Sequence, residues 1–333
     1  MRKRFLGFAT LLFAACSGND RAGALHAMGG NTSGGALNQP RGGNTASGGT
    51  ANGDAGSMGD AGQAGDGGNG SEPSPPLCAP EQAWGDAQRI NVSTEGTDVL
   101  AGISADELVL AWLADGELYY AERSSPDAAF GTPVRIPGNQ NYFAAATLSA
   151  DGLFIIGVRN DGKTFGVVRR SARDEAFGTA INEAPFAAIA SAPSSSRATG
   201  PFADPVLSAN GLSLMFSALD PGSDGFASIY VAKRLGSNDR WPFGDAVLGE
   251  MLHAKAGQFR RPSGLSADAR TLFYWDETSG DGRAAFRSFV NLPFELSVSL
   301  GARSRATPNA ACDRLYYSAD GTQGVDLFVE KRQ

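Results

Sequence analysis

The sequence predicts an all-β domain: a single propeller of five four-stranded blades, closed by a strand from the N-terminal side. Three observations carry this. A short phrase recurs as Ser104-Ala105-Asp106, Ser149-Ala150-Asp151-Gly152, Ser208-Ala209-Asn210-Gly211 and Ser266-Ala267-Asp268. Each stands six residues before the centre of a β-rich run, at Leu110, Ile155, Leu214 and Leu272, and a worn fifth copy sets Asn309 six residues before Leu315. The anchors are 45, 59, 58 and 43 residues apart, the spacing of a four-stranded blade. Runs rich in Val, Ile, Leu, Phe and Tyr lie between turn residues, and no helical periodicity interrupts them. Finally, a fourth-strand phrase stands ahead of the first unit, while the last unit stops after three strands.

The chain of 333 residues does not begin with fold-forming sequence. Residues 1–16 read as a targeting segment: Arg2-Lys3-Arg4 precedes an apolar run from Phe5 to Ala15 that is too short to span a bilayer. The run ends in Leu12-Phe13-Ala14-Ala15-Cys16, which resembles the lipobox of bacterial lipoproteins, with Phe13 where Leu is usual. That resemblance implies lipidation of Cys16 and an exported protein anchored to a bacterial membrane, at the outer membrane or cell surface; the alternative is an ordinary secretory signal with an incidental Cys. Residues 17–77 read as a linker, since 16 of the 42 residues from Gly29 to Gly70 are Gly. Too little apolar surface is available there to offset the entropy of ordering. As a coil it spans roughly 40–45 Å, the reach of a tether. About 256 residues remain, 78–333, enough for one large β domain.

Within that domain the expected first strands are Thr97–Ile103, Asn141–Leu148, Phe202–Leu207, Gln258–Leu265 and Arg303–Ala310, each ending at an anchor. Second strands follow at Leu108–Leu113, Leu153–Val158, Leu212–Ser217, Thr271–Trp275 and Arg314–Ser318. Third strands end in a basic pair or its remnant: Leu118–Arg123, Phe165–Arg170, Ile229–Arg234, Ala284–Phe289 and Asp326–Arg332. Fourth strands open with an aromatic, at Phe130-Gly131, Phe177-Gly178, Phe243-Gly244 and Phe294-Glu295. Trp84-Gly85-Asp86-Ala87-Gln88-Arg89-Ile90 matches that fourth-strand phrase. It is expected to complete the last blade beside Asp326–Arg332, because otherwise two edges would stand unpaired.

The Ser-x-Asp-Gly turn, the Leu-x-Phe/Tyr run and the Leu/Ile-Tyr/Phe-Val-x-x-Arg strand resemble the TolB-like, WD40-like propeller repeats of bacterial envelope proteins, over residues 84–333. Two cysteines remain once Cys16 is assigned to the lipobox. Cys78 lies six residues before the closing strand, and Cys312 lies in the first turn of the blade it would join. In an oxidising compartment a disulfide is expected; two free thiols are the alternative. On the chain-entropy model so long a loop is worth roughly 4–5 kcal/mol.

Chemistry is sparse. His26 and His253 are the only histidines, and neither a Ser-His-Asp set, a multi-His metal site nor a Gly-x-Ser-x-Gly elbow can be assembled. Asp106, Asp151 and Asp268, with Asn210, recur at one position, as turn residues do. The segments 220–225 and 276–282 are oxygen-rich and suit either a hard cation or ordinary turns. The net charge of −7 is dispersed, with no basic face for a phosphate backbone, so nucleic acid is not an expected partner. The positions at which the repeats differ lie six residues before each anchor: Asp98, Phe143, Phe202, Arg260 and Arg303, with Tyr142, Asp204, Arg261 and Arg305 beside them. These are the candidate binding residues at the channel mouth, on the face that also carries the insertion 183–200; equally, their charges could merely solvate a wet channel. The expected function is a monomeric, non-catalytic binding or scaffold module with no cofactor, contacting the membrane through its lipid alone and taking a protein or a polar or anionic ligand. The alternative is a glycosidase, for which Asp98 and Asp204, with Glu95 or Asp276, would have to stand about 5–10 Å apart.

Overall fold

The computed structural model describes residues 76–79, 81, 83–94, 96–138, 142–182, 199–219, 227–233, 246–247, 259–321 and 324–333. The targeting segment with Cys16, the linker as far as residue 75, Glu95, the insertion 183–198, the turn 220–226, the Phe243-Gly244 pair and both histidines lie outside the described residues.

Among the described residues, twenty strands form five antiparallel sheets. The first blade is β2 (Asp98–Ile103), β3 (Val109–Ala114), β4 (Glu117–Glu122) and β5 (Val134–Arg135). The second is β6 (Phe143–Leu148), β7 (Phe154–Arg159), β8 (Phe165–Arg169) and β9 (Ile181–Asn182). The third is β10 (Thr199–Leu207), β11 (Ser213–Leu219), β12 (Ala227–Lys233) and β13 (Ala246–Val247), and the fourth β14 (Arg260–Leu265), β15 (Thr271–Asp276), β16 (Asp281–Phe286) and β17 (Leu296–Gly301). The fifth is β18 (Ser304–Pro308), β19 (Arg314–Asp320), β20 (Val325–Lys331) and, from the other end of the domain, β1 (Gln88–Arg89). β1 pairs antiparallel with β20, Gln88 opposite Val329 and Arg89 opposite Phe328, and Trp84 bridges Arg332. The ring therefore closes as the displaced fourth-strand phrase predicts. In blades one, two and four the fourth strand begins two to four residues after its aromatic, and Phe130, Phe177 and Phe294 are core residues ahead of the strand.

Both faces of the middle strands are apolar because each blade is packed between two neighbours. In β3, Leu110, Trp112 and Ala114 face blade five, while Val109, Ala111 and Leu113 face blade two. Five clusters result, one per seam between blades. Alternation with period two thus yields continuous hydrophobic runs rather than an apolar–polar pattern. Close approach needs glycine in places: a Cβ on Gly264 would stand 2.7 Å from the Ala306 carbonyl oxygen of the next blade.

The anchors form one hydrogen-bonded turn repeated around the ring. In blade one the Ser104 hydroxyl donates to Asp106 Oδ1 at 2.6 Å and accepts from the Val109 N–H at 2.9 Å, and the Leu108 N–H donates to Asp106. The same bonds recur at Ser149/Asp151, Ser208/Asn210 and Ser266/Asp268. In the worn copy Asn309 Oδ1 accepts the Asp313 and Arg314 N–H groups, replacing the serine. The residue three after each anchor has left-handed backbone: Glu107, Gly152, Gly211, Ala269 and Cys312, at φ between 54° and 68°. Cys312 is bonded to Cys78, with Cα atoms 5.4 Å apart, so the N-terminal segment is latched to that turn.

Candidate functional site

The first strands β2, β6, β10, β14 and β18 are the innermost of each sheet and line the central channel. They run from one face of the ring, where each chain segment enters, to the anchor face, where the Ser-x-Asp turns lie. Every one of them carries a β-bulge, marked by register shifts against its neighbour. A bulge adds a residue and changes which face the preceding side chains take. Counting in twos back from the anchor is therefore correct only as far as the bulge.

This governs where the nine expected mouth residues lie. Phe143 and Phe202 are not at the mouth: Phe143 is buried in the seam between blades one and two, and Phe202 stacks on Phe165 at 5.3 Å in the seam between blades two and three. Tyr142 packs edge-on against Phe143 at 4.7 Å under the Arg159 guanidinium. Asp98 is buried at the seam between blades five and one, where its carboxylate accepts the Thr94 N–H at 2.6 Å and the Thr94 hydroxyl at 2.9 Å. Burial pushes the Asp98 carboxyl above its ordinary value against those two bonds, and the neighbouring Asp326 and Asp115 charges push the same way. Arg303 turns away from the channel, pairing with Glu330 at 3.0 Å and lying over Tyr317. Arg260 lies over Tyr274 of its own blade, 5.9 Å from the ring centre.

The remaining three meet in the lumen. Asp204 and Arg305 occupy the same place, four residues before the anchors of blades three and five, and both have left-handed backbone, at φ 52° and 54°. The two blades are not neighbours in the ring, yet Arg305 pairs with the fully buried Asp204. Arg261 of the intervening blade pairs with the other Asp204 oxygen at 3.5 Å and with Glu277. Burial lowers the Arg305 guanidinium from its usual value, Asp204 opposing, but an arginine keeps its proton at such shifts. Two anions and two cations thus form a neutral brace over three blades. The sequence places Glu277 in the oxygen-rich turn 276–282 rather than among the mouth residues; the register of β15 with β14 brings it beside Arg261.

A cavity of about 70 Å³ occupies the channel on the anchor side of this brace. Each repeat contributes to it at equivalent places, and its rim is a ring of five alanines: Ala105, Ala150, Ala209, Ala267 and Ala310. The signal for this throat was in the sequence, as the unvarying Ala of the repeated phrase. Small-molecule sites enclose about 300–1,000 Å³, so the throat holds a few waters, not a ligand. Among the described residues no group of three or more His, Cys, Asp or Glu is arranged to hold a metal ion. In the turn after β15, Asp276 accepts the Thr278 N–H at 3.0 Å and so acts as an ordinary turn cap.

No protein-family model and no curated protein matches this chain. Similar solved structures include a putative TolB from Agrobacterium tumefaciens, 14% identical, with a TM-score of 0.41 over 68% of this chain and 71% of that one. The β-propeller domain of Cps50 (Swd1) from Myceliophteria thermophila is 10% identical, with a TM-score of 0.35 over 67% of this chain and 66% of that one. A putative 6-phosphogluconolactonase from Bacteroides uniformis ATCC 8492 is 16% identical, with a TM-score of 0.38 over 68% and 65%. The chain spans just under two thirds of the latter two. The five four-stranded blades themselves make this a β-propeller.

Proposed function

We propose that this protein is a lipid-anchored, non-catalytic binding or scaffold module of the cell envelope, and that it meets its partner at the channel mouth opposite the anchor turns. The lumen brace is the observation that carries this reading. Asp204 is held by two guanidinium groups and Glu277 by one, so these carboxylates are committed to ion pairs rather than poised as an acid–base couple. Asp98, the other acid a glycosidase would need, is engaged by Thr94 at a different seam. The brace also presents something: Arg261, its side chain 41% exposed, is fixed in place by two carboxylates. A pre-positioned guanidinium of this kind suits a partner's carboxylate or backbone carbonyl.

Crosslinking and affinity recovery from native envelopes test the proposal. The double variant Arg260→Ala/Arg261→Ala is expected to lose most of its recovered partner while its melting curve remains that of a single cooperative transition. Undiminished recovery overturns the channel-mouth assignment, and turnover of a glycoside by the parent protein overturns the non-catalytic one.

A further inference from the structure

A second surface is set apart by comparing blades that share a backbone. The turn from the third strand to the fourth has the same length in three blades: Arg123 to Phe130, Arg170 to Phe177 and Arg287 to Phe294. It also has the same internal bond, the Ala128, Glu175 and Leu292 N–H groups donating to the carbonyls of Ser125, Ala172 and Phe289 at 3.0, 3.2 and 3.1 Å. In blades one and two the protruding side chains are small or charged: Ser125, Pro126 and Ala128, then Ala172, Arg173 and Glu175. In blade four they are Phe289, Val290 and Leu292, which are 51%, 56% and 38% exposed. The turn conformation does not need these residues, since two other blades make it without them. The other exposed large apolar residues among those described are Val134, Ile181 and Leu296, one on each of three outer strands, and Leu77 in the N-terminal strap.

The turn is held rigidly. Arg287 Nη1 donates to the Leu292 carbonyl at 3.3 Å, and Arg270 Nη1 donates to the Ser288 carbonyl at 3.4 Å. Arg270 also pairs with Asp268 Oδ2 at 3.1 Å, and that same oxygen accepts the Leu77 N–H at 2.8 Å. One carboxylate and one guanidinium therefore separate the apolar turn from the point where the N-terminal segment joins the ring. Preceding Leu77 are 76 residues containing the expected linker and Cys16.

We infer that the turn Ser288–Pro293 is a membrane-docking element, with Phe289, Val290 and Leu292 entering the lipid interface of the bilayer that holds the N-terminal anchor. This rests on the lipid-anchored reading above, and adds a direct protein contact to the lipid expected at Cys16. The argument is one of position and effective concentration. The tether joins the ring beside the only cluster of three exposed apolar turn residues among the described third-to-fourth-strand turns. The linker expected over residues 17–77, roughly 40–45 Å as a coil, would hold that turn at a millimolar-range effective concentration at the bilayer, where a contact of three side chains is strong enough to orient the ring. In that orientation the opposite mouth, with Arg260 and Arg261, faces away from the membrane and toward a partner.

The test uses the processed, full-length protein in phosphatidylethanolamine–phosphatidylglycerol vesicles with brominated acyl chains, and compares Phe289→Trp with Lys163→Trp. Lys163 is exposed in the hairpin between β7 and β8, on the opposite face. With the parent's signal subtracted, the added tryptophan fluorescence of Phe289→Trp is expected to be quenched at least about twofold more than that of Lys163→Trp. Equal quenching in a chain whose N-terminal peptide carries acyl groups by mass spectrometry overturns the docking and leaves the anchor intact. A second copy found on the turn by sedimentation, with equal quenching, overturns it likewise. An unacylated Cys16 overturns the anchoring reading and the docking with it.

Discussion

The position three residues after each anchor shows how one backbone requirement is met by different side chains. Left-handed backbone costs an L-residue about 1–2 kcal/mol and glycine almost nothing. Gly152 and Gly211 meet that requirement directly, whereas Glu107 and Cys312 are kept for their side chains. Glu107 accepts from Asn309 Nδ2 at 2.8 Å and from the Tyr316 hydroxyl at 2.5 Å, and pairs with Arg123 and Arg314, sealing the seam between blades one and five. Burial, with that Glu107 bond, pushes the Tyr316 hydroxyl up to about 12, so it stays protonated and donating. Ala269 contributes no such contact, and Ala269→Gly is expected to raise stability by about 0.5–1 kcal/mol, read as a higher urea midpoint at unchanged slope. Asp98 supplies a pH prediction. Its folded-state pKa is raised, so the folded protein binds more protons there than the unfolded chain, and its contribution to stability falls as pH rises through the carboxylate range. Asp106 and Asp268 run the other way: burial opposes ionisation, but the Ser104 and Ser266 hydroxyls and the surrounding N–H and guanidinium donors prevail, and their stabilisation is lost as pH falls. Asp98→Asn keeps both Thr94 bonds, since a threonine hydroxyl can accept as well as donate. The variant is expected to match or exceed the parent at pH 7, with the advantage shrinking by pH 4 in paired urea titrations.

Blades one, two and four are each tied together by an arginine at the end of the third strand. Arg123, Arg170 and Arg287 close their third strands, and each donates from Nε to the carbonyl of the left-handed residue in its own anchor turn, at 2.6, 3.0 and 2.9 Å. Each guanidinium also lies over the aromatic that precedes the fourth strand, Phe130, Phe177 or Phe294, at 4.4, 4.6 and 4.5 Å. One planar group thus links the hairpin turn, the third strand and the approach to the fourth. An ammonium can neither stack as flatly nor fork, so Arg287→Lys is expected to cost about 2–3 kcal/mol although charge is conserved, as a lowered thermal midpoint would show. The sequence exposed the anchor turns and the aromatics through their recurrence, but it ran the fourth copy's third strand on to Phe289 and so passed over Arg287 as its closing residue. It exposed the mouth poorly. Phe143 and Phe202 read as channel residues because they stand six residues before Ser149 and Ser208, and the bulges upstream of those anchors turn them into seams instead. Nor does distance from the anchor disclose that Asp204 and Arg305 meet, because their blades are joined only through the lumen.

At the scale of the ring, two long-range devices act on closure, and they respond differently to mutation. The disulfide links the strap before β1 to the first turn of the last blade, and Thr271 Oγ1 donates to the Cys78 carbonyl at 3.0 Å, so the strap also grips blade four. A loop of 234 residues restricts the unfolded chain more than it stiffens the folded one. Cys78→Ser/Cys312→Ser is therefore expected to lose up to about 4–5 kcal/mol, with the loss in the unfolding midpoint and the partner recovered from envelopes unchanged. The lumen brace is native-state electrostatics. Asp204→Ala removes the anion that Arg305 and Arg261 share and leaves a buried guanidinium without its counter-charge, at a cost of about 3–5 kcal/mol. Asp204→Leu/Arg305→Met removes both charges together and is expected to recover most of that loss, since an apolar pair of similar volume carries no desolvation penalty. The decisive comparison is the unfolding free energy of the parent, Asp204→Leu, Arg305→Met and the double variant. A double variant as unstable as the sum of the singles would mean that Asp204 and Arg305 act independently and that the channel is not braced across blades three and five.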